Sequence, residues 1–142
     1  MNIIATAGYM GRIPFAPGTF GSLAGILFFY FTSGLAPAWQ MVTLLCLIVL
    51  AVVSAHKAEE IMGETDPGAI VIDEVAGMAV TCMGLPFSLP VAVCAFILFR
   101  LFDILKPFPI NWLEQRFSGG LGVVIDDVFA GLICRIILGI LV

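Results

Sequence analysis

Long uncharged stretches dominate the first half of the chain. No Asp, Glu, Lys or Arg occurs between Arg12 and Lys57, and most residues in that interval are apolar. The stretch is long enough for two membrane-crossing helices, because one crossing takes about 20 apolar residues. The segment SGLAPA at 33–38 carries the Gly and Pro residues of a turn. The pattern therefore predicts helices over about 19–35 and 38–55.

A second uncharged stretch runs from Val75 to Phe99 and is broken by GLPFSLP at 84–90. Each half is long enough to cross only if its charged end is included, which predicts helices over about 69–84 and 90–105. At about 1.5 Å per residue each would be about 25 Å long, less than a hydrocarbon core of about 30 Å. A last apolar run predicts a helix over about 122–142. The expected fold is a single all-α domain, residues 1–142, forming a small polytopic membrane bundle of about five helices.

The composition supports a lipid environment. Hydrophobic residues make up 61% of the 142 residues and charged residues 11%, whereas a soluble domain carries roughly a quarter charged residues. The net charge of −4 provides no basic surface for nucleic acid. The four cysteines are scattered in apolar runs without a CxxC pair, so neither a disulfide framework nor a zinc site is expected.

Basic residues indicate the orientation, because cytoplasmic loops are enriched in Lys and Arg. They fall in the N-terminal segment and in the loops after the second and fourth predicted helices: Arg12, Lys57, Lys106 and Arg116. The chain is therefore expected to have its N-terminus inside and its C-terminus outside. Arg135 is the exception, and is expected either to reach outward or to pair inside the bundle. This orientation brings four polar motifs to one face: PGTFGS (17–22), DPGAIVIDE (66–74), FRLFDILKPFP (99–109) and GGLGVVIDD (119–127).

Carboxylates are concentrated in these motifs. Half of the ten acidic residues lie there near predicted helix ends: Asp73, Glu74, Asp103, Asp126 and Asp127. One interpretation is that they complement helix dipoles. The other is a Mg²⁺ site, because clustered carboxylates repel one another without a cation and hard oxygen ligands suit Mg²⁺. Arg100 and Lys106 would then either balance the acids or bind a phosphate.

Two further patterns bear on this site. GAIVIDEVAG (68–77) aligns without gaps on GVVIDDVFAG (122–131), matching Asp73 with Asp127 and Gly77 with Gly131. This echo is compatible with two parallel helices that present equivalent aspartates and approach closely at their glycines, although short apolar segments also match by chance. In PGTFGS, Thr19 or Ser22 is expected to cap the first long helix, where a phosphate can also bind.

The four motifs together resemble bacterial phosphatidylglycerophosphatase A, in the family's order and over nearly the whole chain, about residues 8–135. The resemblance implies a Mg²⁺-dependent lipid phosphatase of the bacterial inner membrane that converts phosphatidylglycerol phosphate to phosphatidylglycerol, with its active site on the cytoplasmic face. Its partners would be the lipid substrate and the membrane, with no nucleic acid; the oligomeric state is left open.

The residues and the resemblance together assign roles in the expected site. The metal ligands would be Asp73, Asp126 and Asp127, with Glu74 as a further ligand or the general base. Arg100 and Lys106, oriented by Asp103, would bind the phosphate, with Thr19 and Ser22 as further phosphate-binding residues. Glu74, Asp103 and Asp127 form the catalytic set, and both direct attack by water and a phospho-enzyme are open.

Other functions are compatible with parts of this pattern. A small transporter or channel could use intramembrane acids with Arg135 as an ion path, but the acids gather at one face. A CDP-alcohol phosphotransferase would carry a D-G…A-R…G…D…D array that is absent here. A phosphatase for another lipid phosphate, such as an isoprenoid phosphate, remains an alternative.

Overall fold

The computed structural model describes residues 2–12, 15–63 and 67–142, apart from the side chains of Asn2, Arg12 and Glu114. Within these ranges all regular structure is helical, which confirms the all-α part of the predicted fold. The elements are α1 (Asn2–Ala5), a 3-10 turn (Met10–Arg12), α2 (Pro17–Thr32), α3 (Pro37–Met62), α4 (Ile72–Cys82), α5 (Leu89–Leu105), α6 (Ile110–Arg116) and α7 (Gly119–Leu141).

Two helices differ most from the sequence prediction. The charged residues from Lys57 onward were expected to lie beyond the second long helix, but α3 continues through them to Met62 and ends where Gly63 adopts φ 70°. The predicted helix over 69–84 begins later, at Ile72, and ends at Cys82. With 11 residues and a rise of about 1.5 Å per residue, α4 is only about 16 Å long. By itself α4 is therefore too short to cross a bilayer.

The short helix α4 forms the centre of the protein. Every residue of α4 except Glu74 is buried, and the helix packs against α2, α3, α5 and α7. Because other helices surround α4, it has no face that must be polar to meet solvent. The acids in its first turn are surrounded in the same way.

Helices α4 and α7 lie close together and run in the same direction. A Cβ added at Gly77 would lie 2.6 Å from the backbone oxygen of Asp127, and one added at Gly131 would collide with the backbone oxygen of Gly77. Further along both helices, Nε of Arg135 donates to the carbonyl oxygen of Met83. The close approach expected at the paired glycines is therefore present, and Arg135 bonds within the bundle.

Apolar side chains also cover much of the outer surface, including Leu27, Val49, Ile97 and Ile136. Within the described parts of the chain, one helix, α3, is long and apolar enough to cross a membrane by length and composition. Helix α7 is long enough but carries Asp126, Asp127 and Arg135. The predicted crossing by five helices thus stays a prediction.

Candidate active site

The four polar motifs meet at one cavity of about 300 Å³. The start of α2 contributes Ala16, Pro17 and Gly18, and the segment leading into α4 contributes Gly68 and Ile70. The charged residues of the cavity come from three helices and one helix end: Asp73, Glu74, Arg100, Asp103, Lys106, Asp126 and Asp127. The first residue of the second motif, Asp66, lies outside the described residues.

Three carboxylates form a compact group inside this cavity. Asp73 and Glu74 lie in the first turn of α4, and Asp127 lies opposite them on α7. One oxygen from each of the three lies within 4.8 Å of the others. Asp73 is 8% exposed and Asp127 is 3% exposed, so water screens their mutual repulsion poorly.

The group is suited to a divalent cation. All donors are carboxylate oxygens, the ligand type that Mg²⁺ prefers. Oε2 of Glu74 is buried and has no hydrogen-bond partner within the described structure, although burying a polar oxygen without one is unfavourable. A cation held by Asp73, Glu74 and Asp127 would satisfy that oxygen and offset the crowded negative charge.

Arg100 lies on the α5 side of the same group. It forms an ion pair with Asp103, one turn along α5, and its Nη1 lies 3.9 Å from Oε1 of Glu74. The side chains of Arg100 and Asp103 are 17% and 13% exposed, so the pair is largely shielded from water. Asp103 thereby fixes the guanidinium group at the edge of the carboxylate group.

Lys106 pairs with Asp126. Nζ of Lys106 donates to Oδ2 of Asp126 at 2.7 Å, and this carboxylate is outside the compact group of three. Lys106 is the residue that ends α5, in a left-handed conformation with φ 41°, and its side chain is 28% exposed. The two adjacent aspartates of α7 therefore have different neighbours. Asp126 pairs with Lys106, whereas Asp127 lies beside two other acids.

The expected cap of the first long helix differs in the structure. Helix α2 begins at Pro17, and the residue before it, Ala16, makes no side-chain cap. Neither Thr19 nor Ser22 lines the cavity: the buried Ser22 hydroxyl donates to the carbonyl oxygen of Gly18 at 2.9 Å. The prediction that one of them caps α2 is wrong, because Pro17 already supplies a helix start that needs no N–H partner.

Gly18 is the residue of this motif that contacts the charged groups. A Cβ added there would lie 2.7 Å from Nη1 of Arg100 and would collide with Oε1 of Glu74. Gly18, Gly68 and Ile70 were not among the predicted site residues. Their position within the polar motifs was the signal available in the sequence, but their chemistry alone does not distinguish them.

Other titratable residues lie elsewhere. His56 on α3 is exposed, and its Nε2 is 3.7 Å from Oε1 of Glu60; it does not line the cavity. Arg135, which a channel would use with the acids, bonds to Met83 just after α4, beyond the cavity and near Gly84. The charged residues of the cavity are therefore clustered at one face of the bundle, and Arg135 lies apart from them.

Comparison with known proteins gives a consistent family. Residues 3–142 match the family model of phosphatidylglycerophosphatase A. A phosphatidylglycerophosphatase A of Escherichia coli (strain K12) is 40% identical over 135 residues, covering 93% of this chain and 77% of the relative. A phosphatidylglycerophosphatase A of Haemophilus influenzae is 36% identical over 140 residues, covering 96% and 85%.

A third relative carries a different name. A Bacteroides thetaiotaomicron protein, provisionally named a phosphatidylinositol-3-phosphatase, is 35% identical over 146 residues, which cover 97% of this chain and 91% of the relative. No solved structure matches the chain. The names of all three relatives describe removal of phosphate from a phospholipid.

Proposed function

Because the chain belongs to the phosphatidylglycerophosphatase A family, we propose that it hydrolyses phosphatidylglycerol phosphate to phosphatidylglycerol and phosphate, and that it does so with Mg²⁺. The observation that carries this proposal is the cavity in which three clustered carboxylates face Arg100 and Lys106. Such a set combines a cation site with two cationic side chains for phosphate oxygens.

Different side chains of the cavity bind the phosphate, accept a proton and would hold the metal ion. Arg100 and Lys106 bind the non-bridging oxygens of the phosphate, and the ion pair with Asp103 orients the Arg100 guanidinium. Oε2 of Glu74, which has no hydrogen-bond partner within the described structure, would ligate the cation, and Oε1, near Arg100, accepts a proton from the attacking water. Asp73, Glu74 and Asp127 would hold Mg²⁺, which supplies positive charge that polarises the phosphoryl group.

The proposal includes a multi-pass position in the bacterial inner membrane, with the cavity at the cytoplasmic face. It is supported by the apolar outer surface and by the apolar helix α3. His56 lies beside Gly119, so the end of α3 and the end of α6 are at the same end of the bundle. Lys57 and Arg116 lie in these two places. Basic residues on the cavity side favour a cytoplasmic position.

Phosphate release from purified protein in detergent–lipid micelles tests the activity and the metal requirement. The substrates are phosphatidylglycerol phosphate, phosphatidylinositol 3-phosphate and a water-soluble phosphate monoester, each with Mg²⁺ or with a chelator. We expect fastest release from phosphatidylglycerol phosphate and none with the chelator. Equal release with the chelator contradicts the metal proposal, and faster release from phosphatidylinositol 3-phosphate favours the substrate class in the name of the Bacteroides relative.

A matched pair of variants connects this activity to the cavity. Glu74→Gln removes one carboxylate charge of the compact group, and Glu60→Gln removes the same charge from an exposed side chain on α3. Glu74→Gln should lower kcat at least about a hundredfold, because it removes the proposed general base, with Glu60→Gln unchanged. Full activity of Glu74→Gln would exclude the cavity as the site of the reaction.

A further inference from the structure

The segment that follows the active site exposes a continuous run of large apolar side chains. We define this segment, residues 104–117, as the α5–α6 elbow. Ile104 and Leu105 are exposed in the last turn of α5, Phe108 is 79% exposed in the connection, and Trp112 is 52% exposed on α6. Phe117 follows, also exposed, directly after α6. Three exposed aromatic residues within ten positions form an apolar patch of the kind that marks an interaction surface.

The elbow is a fixed part of the fold. Lys106 ends α5 in a left-handed conformation and Pro107 follows it, so the chain cannot continue as the same helix. The backbone N–H of Ile110 donates to the carbonyl oxygen of Pro107 at 2.8 Å. Ile110 is 1% exposed and belongs to the same core cluster as Phe99, and α6 packs on α7. Because Ile110 is buried in the core, it fixes the position of the elbow, and Phe108 and Trp112 are left on the outer surface.

One exposed cation lies near the end of the elbow. Lys106, near its start, is paired with Asp126, so Arg116 is the basic residue of the elbow that is left for lipid phosphates, with Glu114 as the acidic residue between them. Arg116 is exposed. Aromatic rings beside basic residues are typical of segments that lie at the boundary between headgroups and acyl chains, where the rings enter the apolar layer and the cations meet phosphates.

We propose that the α5–α6 elbow is a membrane-interface anchor: Phe108, Trp112 and Phe117 insert at the headgroup boundary of the leaflet that contains the substrate. The elbow begins at Lys106, a residue of the cavity, so this insertion sets the cavity at the depth of a lipid phosphate. The inference deepens the proposed function and rests on it for the substrate. The insertion itself is testable without any activity.

Fluorescence depth measurement tests the insertion. The chain has two tryptophans, so Trp39→Phe leaves Trp112 as the sole reporter in vesicles of phosphatidylglycerol and phosphatidylethanolamine. We expect the strongest quenching from lipids brominated near the headgroup end of the acyl chain. Strongest quenching by aqueous iodide, strongest quenching by lipids brominated near the chain methyl, or shielding from all three, as under a second copy of the chain, would each overturn the proposal.

Kinetics test the consequence for the substrate. The double variant Phe108→Ser/Trp112→Ser should release phosphate about tenfold more slowly from long-chain substrate in vesicles, because less apolar surface enters the bilayer. Its rate on a short-chain, monomeric substrate should equal that of the unmodified protein. Phe31→Ser, which removes a ring that is 70% exposed on α2, is the matched control and should leave both rates unchanged.

The possible outcomes separate the two proposals. Equal losses on vesicles and on monomeric substrate would assign Phe108 and Trp112 to the folded structure and overturn the anchor. If the unmodified protein released phosphate from neither substrate, the proposed function would fail while the quenching result still decided whether the elbow is inserted.

Discussion

Nζ of Lys106 lies 2.7 Å from Oδ2 of Asp126, while the next residue, Asp127, lies with Asp73 and Glu74. Successive residues of a helix point about 100° apart, so two adjacent aspartates reach two different partners. One holds a cationic side chain and the other completes the group of acids. Two adjacent residues of one helix therefore have two different structural roles.

Asp126→Asn should weaken substrate binding more than it slows the reaction. The loss of charge loosens Lys106 and removes its fixed position, so we expect KM for phosphatidylglycerol phosphate to rise about tenfold with a small change in kcat. Lys106→Ala should give the same change, and the double variant should add little to either. Lys57→Ala, at an exposed lysine on α3, is the control. An Asp126→Asn variant without activity at any Mg²⁺ concentration would instead make Asp126 a metal ligand, as the sequence predicted.

Asp127→Asn should weaken metal binding without lowering the stability of the metal-free protein. Three carboxylates within 4.8 Å of one another, two of them buried and Glu74 half-buried, repel, so removing one charge should leave Tm without divalent cations equal or higher. Added Mg²⁺ should raise Tm of the unmodified protein, because ligand binding stabilises the folded state, and raise Tm of Asp127→Asn much less. Thermal unfolding in detergent with and without Mg²⁺ measures both effects. An equal rise in the two proteins would place the cation elsewhere.

Gly77→Ala should destabilise the contact between α4 and α7. The added Cβ would lie 2.6 Å from the backbone oxygen of Asp127, and relief requires the helices to separate, at a cost of about 1–3 kcal/mol. Both Tm and phosphate release should fall, since Asp73 and Asp127 lie on these two helices. Gly34→Ala, in an open turn where an added Cβ meets nothing within 4 Å, should change neither. An unchanged Tm for Gly77→Ala would contradict the close contact.

Gly18→Ala should affect activity without loss of stability. Gly18 is in the first turn of α2, where alanine favours the helix by up to about 1 kcal/mol. The added Cβ would nevertheless collide with Oε1 of Glu74 and lie 2.7 Å from Nη1 of Arg100, so the ends of both side chains must shift, the guanidinium from its place beside Asp103. We expect a lower kcat/KM with Tm unchanged or higher, measured on the same preparation. Normal kcat/KM would show that Arg100 tolerates this displacement.

Much of the architecture follows from apolar patterning. The turns at 33–38 and 84–90 separate the helices that the sequence predicted, because Gly and Pro there interrupt long apolar runs. The end of α3 could not be predicted in this way. Charged residues at Lys57 and Glu60 suggested a helix end, but nothing in them prevents a helix from continuing beyond an apolar run. Helix α6 was missed because it is short and lies between a proline-rich turn and Gly119.

The candidate site was predictable as a set of residues and less so as a set of contacts. The acids and bases of three motifs line one cavity, as their position at one face of the predicted bundle indicated. Which carboxylate meets which partner depends on helix rotation and on where each helix begins. Thr19 and Ser22 illustrate the limit: hydroxyls at an expected helix start look like caps, but α2 begins two residues before Thr19.

The enclosure of α4 has a consequence for the order of assembly. This helix is made before α7, yet α7 supplies one of its neighbouring walls and the opposing Asp127. A nascent chain that has not reached Gly119 therefore holds Asp73 and Glu74 without their third carboxylate and without the covering helix. We therefore expect that competence for phosphate release is acquired only when the last helix docks, and that premature termination yields an inactive and incompletely packed protein.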